Sequence, residues 1–127
     1  MPELIDNIAK EDYLRFWPQG NNPPNYKAVT DLLQMDKAET AKIARVAKAS
    51  VRYDAKIPIE LKDRLEQIAN IANRVAALFD GDMQKTALWF RTPNPMLGDL
   101  SPRDMLRMNR FKRLSKFVSE AEQARKE

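Results

Sequence analysis

Trp89 to Leu106 reads WFRTPNPMLGDLSPRDML, and this stretch decides how the chain on either side of it must fold. Pro93 and Pro95 fix their own φ near −65° and push Thr92 and Asn94 out of the helical region, so a helix carrying Leu88, Trp89 and Phe90 has to stop at about Thr92. Gly98 permits a backbone turn that a β-carbon would oppose. Ser101 is a favourable N-cap, Pro102 sits where a first-turn proline loses no hydrogen bond, and Asp104 is placed as the far half of a capping box. The stretch therefore predicts a helix end, a rigid turn and a new helix from Pro102. Trp89 reads as a core aromatic ahead of a direct partner anchor, since large aromatics contribute most when buried.

On both sides the pattern is helical. Asp80-Gly81-Asp82 predicts a left-handed C-cap at Gly81 followed by an N-cap at Asp82. Upstream, Pro58 opens the longest periodic segment, with Leu61, Leu65, Ile68, Ala72, Val75 and Phe79 spaced alternately by four and three as one apolar stripe. Ile71 and Leu78 widen it. The stripe predicts the spine of an all-α core ahead of a coiled-coil seam. Downstream, a last helix from Pro102 turns Met105, Leu106, Leu114, Phe117, Val118 and Ala121 inward, ringed by Arg103, Arg107, Arg110, Lys112, Arg113 and Lys116. The tail QARKE is expected to fray.

Tyr26 onward predicts a first helix with Ala28, Val29, Leu32 and Leu33 on one side, ending near Met35, and then a second one capped by Asp36 with Glu39 closing a capping box. TAKIARVAKASVRYDAK has helix-turn-helix spacing, with small Ala41 at the crossing, Val46 leaving the turn and Val51 buried ten residues after Ala41. Lys48, Arg52, Tyr53 and Lys56 would then lie on or beside the exposed face of a recognition helix, as candidate DNA contacts. Arg45 stands where DNA-binding examples commonly carry a glycine of positive φ, which points equally to a degenerate, structural pair of helices. Residues 1–25 form an arm, read as a short helix and a loop, whose Tyr13, Leu14, Phe16 and Trp17 precede the breaker run PQGNNPPN.

Composition excludes several classes. Neither cysteine nor histidine occurs, which removes disulfides, thiol nucleophiles, the usual zinc sites and every His-based triad. Carboxylate pairs such as Glu60 with Asp63, or Asp80 with Asp82, have cap or surface spacing. A binding protein is expected rather than an enzyme, with no metal and no cofactor. No apolar run approaches the roughly 20 residues that span a bilayer, and MPELIDNIAK lacks the apolar core of a signal peptide, so the expected location is cytoplasmic. Residues 25–56 carry +3 and residues 87–127 carry +4, two basic regions that admit an anionic partner without specifying one.

Trp89, Pro93, Asn94, Pro95, Leu97, Gly98, Ser101, Pro102 and Leu106 together fill, in register, a motif that resembles the C-terminal toxin-binding domain of the Xre/MbcA/ParS-type antitoxins. The resemblance is strong over the last third of the chain and weak over the middle third. It departs from the family at Asp99 and Phe111, where glycines are usual. It implies an all-α fold with a helix-turn-helix-like N-terminal part, a long central helix and a C-terminal helical hairpin, divided as an arm at 1–25, an Xre-like part at 26–79 and a toxin-binding domain at 80–127. The implied function is that of an antitoxin occluding the active site of a RES-type, NAD-degrading toxin. Arg103, Arg107, Arg110, Arg113 and Lys116 are the candidate toxin contacts. Repression of its own operon through operator DNA, and a homodimer within the toxin complex, are further implications. The alternative is a stand-alone helix-turn-helix regulator whose C-terminal part only dimerises.

Overall fold

The computed structural model describes residues 8–126, and among these every regular element is helical. Six α-helices run α1 Tyr26–Leu33, α2 Lys37–Ala44, α3 Ile59–Leu78, α4 Met83–Arg91, α5 Pro102–Arg107 and α6 Phe111–Lys126, with single 3-10 turns at Lys48–Ser50 and Pro95–Leu97. None of these helices is long and apolar enough to cross a membrane.

The long stripe does what its spacing predicts. Leu61, Leu65, Ile68, Ala72 and Val75 are all buried, with Ile71 beside them, and α3 is the spine on which α1, α2, α4 and α6 pack. Phe79 is half-buried at its end. Asp80 and Gly81 both take positive φ, 55° and 84°, so the helix closes on two left-handed residues rather than on Gly81 alone. Gly81 is needed for a second reason: a β-carbon there would stand 2.9 Å from Cε1 of Tyr13. Asp82 then caps α4 by accepting from the Lys85 N–H at 3.1 Å.

The arm contributes Phe16, wholly buried, to the core, whereas Trp17 lies half outside it. Between residues 8 and 25 it contains turns and no helix; Met1 to Asn7 lie outside the described residues. Its anchor is polar. The Leu14 N–H donates to Asn73 Oδ1 at 2.8 Å, and Asn73 Nδ2 donates to Asp12 Oδ1 at 2.9 Å. The Asp12 carboxylate also accepts from the N–H groups of Phe16 and Trp17, at 3.0 and 2.7 Å. Both ends of the buried Asn73 amide are thereby satisfied by the arm, one by the Leu14 backbone and one by the Asp12 side chain, which is what fixes an irregular segment against a helix.

The short helix expected of the arm is thus absent from its described residues, and three further expectations need correction. The helix expected after Val46 shrinks to one 3-10 turn, because its first residue has no cap and its later residues prefer other conformations. Ala47 stands at the N-cap position with no side-chain acceptor. Asp54 folds back to accept from Arg52 Nε at 2.7 Å and from the Lys56 N–H at 3.0 Å, and Pro58 bars Ile57 from helical geometry. Second, the last helix is two. Asn109 takes φ 58°, and the Arg110 N–H reaches back to the Met105 carbonyl at 2.8 Å, a left-handed closure that ends α5 before α6 begins. Third, the tail holds its helix to Lys126. Arg125 donates to the Ala77 carbonyl and to Asp80 Oδ1, both at 2.8 Å, and so ties the tail to the end of α3.

Candidate functional site

The turn between α4 and α5 is built from hydrogen bonds centred on Asn94 and from the capping box that Ser101 and Asp104 predict. The Asn94 N–H donates to the Leu100 carbonyl and the Asp99 N–H to the Asn94 carbonyl, both at 3.0 Å, which pins the two ends of the loop together. The Asn94 side chain accepts from the Met96 N–H at 2.9 Å. Gly98 and Asp99 are both left-handed, φ 68° and 65°, so the glycine usual at the second position would relieve strain that Asp99 bears. Ser101 and Asp104 form the complete capping box, the hydroxyl accepting from the Asp104 N–H at 3.0 Å and the carboxylate from the Ser101 N–H at 3.1 Å. Burial works against the ionised Asp104, but its bonds to Ser101 and the charges of Arg107 and Arg103 outweigh it and hold the carboxyl below its ordinary value.

Ser101→Ala is expected to lower stability by about 1 kcal/mol. Gly98→Val should cost more, since a branched side chain suffers most at positive φ. Urea melts of the two variants against the parent check the order; a parent-like Gly98→Val would contradict the turn geometry.

Leu97 is buried beneath this turn and Met96, its neighbour, is 76% exposed at the tip. Along α4 the same division recurs, with Phe90 wholly buried and Leu88 61% exposed. Trp89 is half-buried, stacked on Phe117 at 6.4 Å and edge-on to Phe90 at 5.0 Å. The rigid turn thus presents apolar side chains outward while holding others in.

The candidate basic ring does not close. Arg103 and Arg107 point to α2, where Arg103 Nη2 and Arg107 Nε each lie 3.1 Å from Glu39 Oε2. Glu39, expected to complete a capping box with Asp36, serves this ion pair between α2 and α5 instead, although Asp36 does cap the helix. Arg110, Lys112, Arg113 and Lys116 remain exposed. Of the candidate DNA contacts, Lys48, Arg52 and Lys56 are exposed and Tyr53 is half-buried against the core, but no common helix carries them. Arg52 is forked onto Asp54, a bond that raises its pKa and lowers that of Asp54.

Sequence reasoning missed the buried Arg74, 3% exposed, which donates to Glu122 through Nε at 3.2 Å and Nη2 at 2.7 Å and to Ser119 at 2.9 Å. The signal was available. Arg74 falls between Ile71 and Leu78 on the widened apolar face, and Ser115, Ser119 and Glu122 follow helical spacing on α6.

Residues 74–111, from this arginine to the first residue of α6, match the family model of the antitoxin Xre/MbcA/ParS C-terminal toxin-binding domain. This segment is similar to an Xre/MbcA/ParS toxin-binding domain. No curated protein and no solved structure matches the chain. The matched residues comprise the end of the central helix, α4, the proline-rich turn and α5. Such a domain supports an antitoxin role and a toxin as partner.

Proposed function

We propose that the chain neutralises a RES-type, NAD-degrading toxin by seating the α4–α5 turn against the toxin and occluding its active site. The observation that carries this reading is the exposure of Met96 and Leu88 within the matched segment, on a backbone fixed by buried Leu97 and Phe90. Apolar side chains held on a rigid scaffold bind with little loss of conformational entropy, the property expected of an interface anchor. Arg110, Lys112, Arg113 and Lys116 would supply the charge that steers association. Arg103 and Arg107 are proposed for a different task, holding the toxin-binding domain to α2 through Glu39.

Operon repression by major-groove reading finds less support, since residues 45–58 contain one 3-10 turn where a recognition helix would lie. The same point weighs against the stand-alone regulator.

Leu88→Glu combined with Met96→Glu tests the proposal. Both positions are exposed, so the circular dichroism and melting temperature should stay near those of the parent. Affinity for the cognate toxin, measured by calorimetry, should fall by roughly 30-fold or more. Undiminished affinity in a folded double variant would move the interface elsewhere.

A further inference from the structure

Two of the exposed large apolar side chains, Ile8 at 62% and Trp17 at 53%, line one open cleft of about 440 Å³ between the arm, α3 and the start of α6. Ile71 and Phe111 belong to its apolar lining, and Asp63 and Glu66 to its polar one. The arm holds both exposed side chains in place. The Ala9 N–H donates to Asn70 Oδ1 at 2.7 Å, which sets Ile8 beside α3. The Trp17 N–H donates to Asp12, and the indole stands edge-on to the buried Phe16 ring at 5.0 Å. Among the described residues, Asp63 and Glu66 enter no ion pair, whereas Arg74, the cation of the lining, is already engaged by Glu122. The exposed Lys112 and Lys116 of α6 lie outside the lining, so the charge left free in the cleft is negative. Burial raises the pKa of Glu66, Lys62 lowers it and Asp63 raises it again, which marks a carboxylate short of counter-charge.

Exposed apolar side chains rimmed by polar ones are the mark of a docking surface, and here aromatic rings beside unpaired carboxylates select the chemistry of the occupant. Arginine has an apolar stem, a planar guanidinium that stacks on aromatic faces, and a fork of donors that fits a carboxylate. The border of the cleft already displays such a contact, with the guanidinium of Arg64 5.1 Å from the centre of the Phe111 ring. We propose that this cleft docks an arginine side chain from a basic peptide segment of a protein partner, the guanidinium stacking on Trp17 and pairing with Asp63 and Glu66. The surface shares no residue with the α4–α5 turn, and it stands independently of the antitoxin proposal.

The test uses the full chain carrying Trp89→Phe, which leaves Trp17 as the single indole, and acetylated tetra-arginine amide as the probe at fixed ionic strength. Calorimetry on the parent, with both tryptophans in place, gives the affinity without that substitution, and circular dichroism confirms that each variant is folded. The peptide should shift the Trp17 fluorescence saturably and bind more tightly than a tetra-lysine amide of equal charge. Glu66→Gln and Asp63→Asn should each weaken binding by roughly five- to tenfold. Glu60→Gln removes the same charge from an exposed position of the same helix outside the cleft, and should leave binding unchanged. The proposal is overturned by a silent Trp17 up to about 10 mM peptide, by equal binding of the two peptides, or by equal weakening in Glu60→Gln. A Trp17 signal that varies with protein concentration in the absence of peptide overturns it as well, and assigns the cleft to a second copy of the chain.

Discussion

Glu122→Ala should destabilise the protein by about 3–5 kcal/mol, as much as the loss of a wholly buried apolar side chain. The reason lies across the seam between α3 and α6. Arg74 keeps 3% of its surface in solvent, and the carboxylate of Glu122 answers it on Nε and Nη2, with Ser119 sharing Nη2 and Ser115, more distantly, on Nη1. Removing the carboxylate leaves a buried cation with hydroxyl groups alone, whereas Glu122 itself, 30% exposed, would be rehydrated more readily if Arg74 were removed. Arg74→Met with Glu122→Met should accordingly recover most of the loss, since a buried pair replaced by apolar side chains is often neutral. Guanidinium chloride melts of the three variants decide it. A midpoint for Glu122→Ala equal to the parent's would mean that water reaches Arg74 and replaces the carboxylate.

Truncation after Leu100 should abolish cooperative folding. The sequence suggests a last helix whose inward face is only part of the core, but α5 and α6 deliver Met105, Leu106, Leu114 and Val118, all buried, to the surface of α3 and its neighbours. Losing each such side chain costs about 2–5 kcal/mol, and four of them together exceed the whole stability of a typical domain. Near-ultraviolet circular dichroism and a broad, non-cooperative melt would record the outcome; a sharp melt of the truncated chain would show that the remaining helices form a core unaided. Neutralisation is for this reason better tested by Leu88→Glu with Met96→Glu than by removing the end of the chain.

The parts of the fold that were legible before the structure are those dictated locally. Pro93, Pro95, Gly98, Ser101, Pro102 and Asp104 each restrict or satisfy backbone within a few residues, so the turn and the start of α5 follow from their order. The stripe on α3 was legible for a similar reason, being a long period with many repeats. What escaped depends on partners distant in sequence. Glu39 fits a capping box by spacing, yet Arg103 and Arg107, far along the chain, offer it two cations. Val46 and Val51 fit helix-turn-helix spacing, yet both can pack against the core from an irregular segment, and spacing alone does not distinguish the two. Of the candidate site, the motif residues were readable and the basic ring was not. Met108-Asn109-Arg110 contains neither proline nor glycine to announce a break, so cations on two helices looked like cations on one.

The left-handed closure at Asn109 sets a phase between two cylinders. Adding or deleting one residue between Met108 and Arg110 would rotate everything beyond it by about 100° relative to α5, at 3.6 residues per turn. Leu114 and Val118 would then leave the surface of α3, and the lysines beside them would turn toward it. A substitution at the junction changes a side chain, but an insertion changes the facing of all sixteen residues of α6. Chain length at this one joint is consequently more constrained than chain composition, and homologous domains should vary here by exchange of residues and not by their number.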